Sequence, residues 1–255
     1  MNETTSSRHD VTRLARRAII RLSGDGEDVG EFLQGLVTSD VTAPLPVWTG
    51  LLSPQGKVLF DFFVWPSGND MLIECEAEHA DELVKKLSMY RLRRKITIER
   101  DPAVEVHWIA HRGDGAADDP RLAALGQRWL LPASGNAEGP SADDAYLAHR
   151  LSLGVTEGRD ELGYDQTLWL ECNAAELHGV NFRKGCYVGQ ENTARMNWRQ
   201  KINRRLVVVP LDRSDESRRR IAYPELDVAV DHVRVADADP DLWPGWLALE
   251  PQAKE

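Results

Sequence analysis

The residues best suited to chemistry lie in one short segment around Cys186. The segment reads Lys184-Gly185-Cys186-Tyr187-Val188-Gly189-Gln190-Glu191, with Arg195 four residues further on. The flanking glycines allow a tight loop that leads into a helix. The neighbouring cations Arg183 and Lys184 and the start of that helix would favour the thiolate, the reactive and metal-binding form of Cys186. Glu191 and Arg195 are spaced to pair on one helix face.

The cysteine pattern limits what this thiol can do. Cys186 has a structural alternative, a small buried hydrophobe in a turn that two glycines shape. Cys75 ends a predicted strand and Cys172 follows an apolar run, so both are expected in the core. Three separated cysteines without a Cys-x-x-Cys pair give neither a disulfide framework nor a four-ligand zinc site. They suit a reducing compartment.

The charge is unevenly distributed along the 255 residues. The chain has 41 acidic and 31 basic side chains, a formal net charge of −10 and an ordinary globular composition. Two windows, 85–100 and 183–205, each hold seven basic residues and one acidic residue. Each window is either a solvated face or, if the two meet in the fold, part of a site for an anion. The acidic balance and the lack of an apolar run of about 20 residues give no reason to expect DNA or a membrane as partner.

The elements that must position the motif begin with a predicted antiparallel layer. The hydrophobic patterns predict strands and helices in the order strand 17–22, helix 27–36, strands 48–53, 57–65 and 71–75, helix 80–90, and a strand from Ile96. Turn signals separate the strands, notably Pro54-Gln55-Gly56. From residue 48 onward, the order β-β-β-α-β is typical of an antiparallel sheet covered by a helix, an α+β layer.

The second half of the chain is predicted to be less regular. The patterns predict a strand at 127–131, a helix that Ser141 caps and that runs to about Leu153, an irregular stretch 154–182, a helix 191–199, and strands 202–209, 226–235 and 245–249. The Cys motif therefore leads directly into a helix, and a small β unit ends the chain.

These segments together resemble the YgfZ family, a folate-binding group related to the glycine cleavage T-protein. The Cys motif with Arg195 carries most of the resemblance. The other matching segments are Phe32-Leu33-Gln34-Gly35, Thr38-Ser39-Asp40-Val41, Leu51–Val58 with Asp61, Gly179-Val180-Asn181-Phe182 and Arg204-Arg205-Leu206. The resemblance covers roughly residues 17–210.

The resemblance implies an α+β fold, a ring of three small domains around a folate-sized hole. The expected domains are a folate-binding core of 1–41 plus 101–200, an antiparallel ferredoxin-like middle domain of 42–100, and a C-terminal β-barrel unit of 201–255. The barrel of this family usually has glycine-rich turns, whereas 212–224 contains no glycine and is dominated by three arginines, 218–220. We therefore expect a small barrel that is abbreviated or rearranged.

The resemblance also implies a function, a folate-binding accessory protein for iron–sulfur cluster assembly or repair in client enzymes. Processes such as tRNA modification would depend on it. The functional thiol would be Cys186. Because a cluster needs four ligands, no resident metal is expected, and Cys186 would supply one ligand of a transient cluster shared with a partner.

The expected cofactor is tetrahydrofolate or a related folate. By analogy with the family, Lys184, Gln190, Glu191 and Arg195 would lie near the folate or the thiol, and Asp61 would lie on the pterin side. A cationic rim would suit the glutamate tail of a folate.

Fold does not fix function, so a tetrahydrofolate-dependent aminomethyltransferase is the alternative, although the Cys motif resembles the non-enzymatic branch. A cysteine-nucleophile transferase unrelated to folate is a third hypothesis. A bacterial cytoplasm is the expected compartment, with the mitochondrial matrix as alternative. The oligomeric state is open.

Overall fold

The computed structural model of the protein describes residues 11–111, 116–136, 139–199 and 202–247. The outer ends of the predicted first and last domains, 1–10 and 248–255, lie outside these residues. The strands are β1 (Arg17–Gly24), β2 (Val47–Leu52), β3 (Val58–Ser67), β4 (Asp70–Glu76), β5 (Ile96–Arg100), β6 (Val104–Ile109), β7 (Ala117–Asp118), β8 (Gln127–Pro132), β9 (Arg204–Pro210), β10 (Arg219–Tyr223) and β11 (Val228–Arg234). The α-helices are α1 (Val29–Gln34), α2 (Ala80–Arg91), α3 (Asp143–Ser152), α4 (Arg159–Leu162) and α5 (Gln190–Arg199).

The largest sheet is the predicted antiparallel layer. Its five strands lie in the order β2-β3-β4-β1-β5, and every pairing is antiparallel. The strands and helices predicted between residues 17 and 100 are confirmed, with small differences at their ends. Because β1 pairs with both β4 and β5, the sheet takes one strand from the segment assigned to the core domain. The division into three domains stays a prediction.

Strand β3 is buried on both faces of this sheet, which explains its almost continuous apolar sequence. Phe60 and Phe62 belong to the hydrophobic cluster that also contains residues of α1 and α2. Phe63 belongs to a second cluster, which contains residues of α3 and of the C-terminal strands. Since side chains alternate along a strand, Asp61 faces this second cluster together with Phe63.

Two smaller antiparallel sheets complete the described fold, with orders β6-β8-β7 and β10-β11-β9. The strands predicted at 127–131, 202–209 and 226–235 are confirmed. The strand predicted at 245–249 is wrong for its described part, since 245–247 lie in a turn. Strand β10 was not predicted, because three consecutive arginines at its start obscure the alternation of side chains.

Helix α3 begins later than the sequence predicts. Ser141 was expected to cap it, but the N-cap is Ala142, which makes no side-chain hydrogen bond. Instead, the carboxylate of Asp143 accepts hydrogen bonds from the backbone N–H groups of Ala15 and Arg16 at 3.1 and 3.0 Å. The start of α3 is thus fixed by a distant segment and not by a local capping box.

A buried network of charges joins the large sheet to the β6-β8-β7 sheet. Glu74 on β4 pairs with Arg17 on β1 and with Arg128 on β8. Arg128 and Arg121 share the carboxylate of Asp119, and both guanidinium groups are fully buried. Each charge therefore has a partner inside the protein, as burial requires. No helix in the described part of the chain is long and apolar enough to cross a membrane.

Candidate functional site

Cys186 lies on an exposed loop just before α5, and its thiol is open to solvent. Cys75 and Cys172 are buried, as predicted. Burial raises the pKa of the Cys75 thiol to about 12. Burial, together with the charge of Glu171, raises the pKa of Cys172 well above its ordinary value. The alternative that Cys186 is a buried hydrophobe is therefore wrong, and it is the thiol that a reagent or partner can reach.

Lys184 turns into the protein and holds the loop in place. Its ammonium donates to the backbone carbonyl oxygens of Val37 and Ser39, at 2.6 and 2.8 Å. Burial lowers the pKa of Lys184 to about 8, against the opposing charge of Asp40. The backbone N–H of Lys184 donates to the side chain of Asn181. These bonds tie the Cys loop to the turn that follows α1, and the folate-binding role of Lys184 stays a prediction.

The hairpin between β2 and β3 supports the other end of the loop. Gly189 has a φ of +81°, and a Cβ there would lie 2.5 Å from the carbonyl oxygen of Ser53. A Cβ on Gly56, at φ +80°, would lie 3.2 Å from the oxygen of Gly189. Asn192 on α5 also donates to the carbonyl oxygen of Gln55 at 2.8 Å. Hairpin and loop therefore meet backbone to backbone, which only glycine permits.

The remaining residues of the motif lie on the first two turns of α5. The Gln190 amide donates to the Gly185 oxygen at 3.4 Å. Arg195 pairs with Glu191 at 2.7 Å, as the spacing predicts, and both side chains are exposed. Trp198 on the same helix is 74% exposed. The motif thus combines an exposed thiol with exposed polar and aromatic side chains, and the folate-binding role of Gln190, Glu191 and Arg195 stays a prediction.

Asp61 lies inside the protein on β3. Its oxygens accept hydrogen bonds from the indole N–H of Trp48 and the backbone N–H of Gly158, both at 3.1 Å. Burial first, and then the charges of Glu157 and Glu76, raises the pKa of Asp61 to about 7. A buried carboxyl that titrates near neutral pH is a candidate for binding or proton chemistry. Its role on the pterin side stays a prediction.

A chain of hydrogen bonds joins Asp61 to the Cys loop. Lys184 donates to the backbone oxygen of Ser39, and the Ser39 hydroxyl donates to the backbone oxygen of Trp48 at 2.7 Å. The indole of Trp48 then donates to Asp61. The two predicted parts of the site are therefore connected, although Asp61 makes none of its own hydrogen bonds to the loop.

A cavity of about 250 Å³, which we call the central cavity, lies next to this region and is lined by residues of β1, β4, α3, α4 and β10. The carboxylates of Glu76 and Glu157 and the rings of Tyr146 and Tyr223 line it. Burial alone would raise the pKa of Glu157. The guanidinium groups of Arg121 and Arg17 nevertheless hold this pKa well below its ordinary value.

The sequence interpretation did not single out these lining residues. An acidic residue next to a glycine, Glu157-Gly158, is the sequence signal that could have pointed to this cavity. In the structure Gly158 has a φ of +80° and leaves room for the side chain of Glu76.

The two basic windows lie on separate elements. The first runs along α2 and β5, where Arg100 pairs with Asp81 at 3.4 Å. The second runs through the Cys loop, α5 and β9, with Lys201 outside the described residues. The meeting of the two windows around one anion stays a prediction. The part of the chain that the structure describes contains no cluster of three or more histidine, cysteine or acidic side chains suited to a metal ion.

Comparisons with known proteins find sequence relatives of this chain. The chain is 33% identical over 234 residues to the human mitochondrial iron–sulfur cluster assembly factor IBA57, covering 77% of this chain and 65% of that protein. It is 31% identical over 238 residues to the mitochondrial IBA57 homologue of Neurospora crassa, covering 80% of this chain and 54% of that protein. The chain thus spans between about half and two thirds of these relatives. No family model matches it.

A solved structure has the same fold. The aminomethyltransferase T of the glycine cleavage system from Bartonella henselae superposes with a TM-score of 0.66. The superposition covers 88% of this chain and 78% of that one, at 14% sequence identity. At this identity, the likeness shows the fold and leaves the chemistry to the residues of the site.

Proposed function

Because this chain is a homologue of the IBA57 iron–sulfur cluster assembly factors, relatives of the YgfZ family with the glycine cleavage T-protein fold, we propose that it is an accessory factor in iron–sulfur cluster assembly or repair. It acts on client enzymes through Cys186. The clients stay unidentified, and tRNA modification as a supported process stays a prediction.

The observation that carries this proposal is the exposure of one cysteine on a rigidly supported loop. A cluster is the cargo of such a factor, and Cys186 provides one thiolate to it. The remaining ligands come from a partner protein, a second copy or a small thiol. Lys184 and the Gly56–Gly189 contact hold the loop in place through contacts within the protein, so binding of a cluster requires little further ordering.

Complementation of a cell that lacks its own factor tests this role. We expect Cys186→Ala to fold with the melting temperature of the original protein and to leave iron–sulfur enzyme activity unrestored. The matched control is Cys172→Ala, which removes a buried thiol and should restore activity. Full restoration by Cys186→Ala would remove the thiol from the mechanism.

We further propose that tetrahydrofolate, or a related folate, binds in the central cavity. The cavity suits a pterin ring, because a carboxylate such as Glu76 can accept hydrogen bonds from amino and ring N–H groups. The rings of Tyr146 and Tyr223 provide flat apolar walls. Asp61 contacts the cavity wall indirectly, because it accepts a hydrogen bond from the lining residue Gly158. The chemistry that folate supplies when bound is the transfer of one-carbon groups.

Thermal unfolding with and without tetrahydrofolate tests this binding. Saturating ligand should raise the melting temperature, as it does for any ligand that binds only the folded state. Glu76→Gln should reduce the rise, and the exposed control Glu31→Gln on α1 should leave it intact. The absence of any rise at millimolar tetrahydrofolate would exclude a folate role.

Two predictions keep narrower support. The aminomethyltransferase alternative rests on the shared fold alone, and release of ammonia with methylene-tetrahydrofolate from an aminomethyl donor would reveal it. The names of the relatives support a mitochondrial location for this chain, whereas the matrix and the bacterial cytoplasm stay predictions.

A further inference from the structure

The C-terminal sheet carries a strongly basic concavity that the proposed function does not use. Its volume is about 350 Å³, in a protein whose net charge is −10. We call it the arginine pocket, and its lining residues are Arg204, Ser217, Arg218, Arg219, Arg220, His232, Arg234 and Asp237. Five arginines face a single aspartate there, so the pocket has a large excess of positive charge.

Two of these arginines oppose each other without an acidic partner. Arg204 on β9 is the direct register partner of Arg234 on β11. Like charges directly opposite each other destabilise a strand pair. Both side chains are exposed, and no acidic side chain of the described residues forms an ion pair with either. The sheet therefore carries an unfavourable pair of charges that an anion between them would relieve.

Hydrogen bonds within the protein fix the floor of the pocket. Arg220 donates to the side-chain oxygens of Gln166 and Thr167 at 2.6 and 3.0 Å, and to Nδ1 of His232 at 3.2 Å. Since Nδ1 accepts this bond, the other ring nitrogen of His232 carries the hydrogen and donates to Glu171 at 3.2 Å. The imidazole thus anchors Arg220 to the body of the protein. The Nε of Arg220 is buried and has no hydrogen-bond partner in the described structure.

The rim arginines are also oriented, but they retain free donors. Arg219 donates through Nε to the Ser214 hydroxyl at 2.7 Å. Arg218 is held by Asp215 and Asp237 at 3.3 and 3.4 Å. A guanidinium group has five N–H donors, so these contacts leave several of them available. Planar guanidinium forks match the oxygens of phosphate and carboxylate groups.

We propose that the arginine pocket binds a small multivalent oxyanion, a molecule with two or more adjacent phosphate or carboxylate groups. Its volume holds more than one such group, and Arg204 and Arg234 are placed to contact both of them. The shared chemistry has two sources, a free phosphate compound or the γ-linked glutamate tail of a folate. The inference does not depend on the role of Cys186, since none of the lining residues belongs to the Cys loop.

Calorimetric titration of the full chain tests the proposal with two probes, inorganic pyrophosphate and tri-γ-glutamate. The test variant is the double substitution Arg204→Gln with Arg234→Gln, and the matched control is the exposed Arg94→Gln on the distant first basic window. We expect saturable binding of at least one probe by the original protein, weakened at least about tenfold in the double variant and unchanged in Arg94→Gln. Because the opposed charges are gone, the double variant should melt no lower than the original protein without ligand.

Each outcome decides the matter. Binding of pyrophosphate alone identifies a phosphate compound, binding of tri-γ-glutamate alone identifies the folate tail, and binding of both supports the shared chemistry. The proposal is overturned if neither probe binds saturably at constant ionic strength. It is also overturned if Arg94→Gln weakens binding as much as the double variant, since the attraction would then be diffuse.

Discussion

The three cysteines differ in their access to solvent, and this difference predicts their reactivity. In the native protein we expect one thiol to react rapidly with a disulfide reagent, and the other two only after denaturation, because burial disfavours the thiolates of Cys75 and Cys172. The absorbance of the thiol released from the reagent measures how many cysteines have reacted. Cys186→Ala should abolish the fast reaction, and a fast phase that survives this substitution would contradict the assignment.

Asp61 makes the stability of the protein depend on pH in a definite direction. Its raised pKa means that the folded protein binds this proton more tightly than the unfolded chain between about pH 4 and pH 7. The stability that comes from the protonated carboxyl is therefore lost as pH rises through 7. Asp61→Asn cannot ionise and loses one hydrogen bond at every pH. The difference in unfolding free energy between Asp61→Asn and the original protein should therefore shrink by about 2–3 kcal/mol from pH 5 to pH 8.

Urea unfolding at the two pH values measures this change. Glu191→Gln alters an exposed carboxylate and should show no comparable trend between them. A deficit of Asp61→Asn that stays constant or grows with pH would show that Asp61 is ionised throughout.

At this scale the sequence predicts two local features of the Cys motif. The glycines around Cys186 indicate a loop that leads into a helix, and the spacing of Glu191 and Arg195 indicates that they pair. The inward turn of Lys184 could not be predicted, because its acceptors Val37 and Ser39 lie more than a hundred residues away in the chain. Local patterns contain no information about such partners.

Between elements, the contact of the Cys loop with the β2–β3 hairpin depends on glycine. Gly189→Ala should cost about 2 kcal/mol or more, because the backbone has a positive φ and the new Cβ would meet the Ser53 oxygen. Gly185→Ala in the same loop is the control, since its Cβ would meet nothing within 4 Å. Equal stability of the two variants in urea unfolding would contradict this packing.

The sequence predicts elements best where one hydrophobic period dominates. The apolar runs of β2 and β3, which a turn signal separates, and the helical spacing in α2 predict the large sheet and the helix that covers it. The sequence does not predict strand β10, because Arg219 and Arg220 at its start form hydrogen bonds with polar side chains and do not pack in the core. The predicted cap of α3 is wrong, because the start of the helix is fixed by Asp143, whose carboxylate accepts from the backbone N–H groups of Ala15 and Arg16.

For the whole molecule, the buried charge network predicts unequal costs for two similar substitutions. Arg128→Met should cost about 3–5 kcal/mol, because it leaves the buried carboxylates of Glu74 and Asp119 short of a partner. Arg16→Met removes an exposed pair with Asp144 and should cost less than about 1 kcal/mol. Urea unfolding of both variants measures the difference, and a similar cost for the two would mean that the network adds nothing to stability.

The overall arrangement is the part that sequence patterns alone do not provide. The resemblance to a family implied the fold, and the solved T-protein structure confirms it. No periodicity predicts that Glu74 and Arg128, 54 positions apart, would join two sheets. The central cavity likewise depends on residues from β1, β4, α3 and β10, which only the folded chain brings together.

The exposure of Trp198 offers a way to test the proposed binding of a cluster. The chain has eight tryptophans, and Trp198 is the strongly exposed one among them, so its emission lies to the red of the others. Chain geometry keeps it within roughly 26 Å of Cys186, four residues of loop and eight rises of helix α5. Iron–sulfur clusters absorb broadly in this spectral range. If a cluster binds at Cys186 as we propose, the fluorescence of Trp198 should therefore decrease.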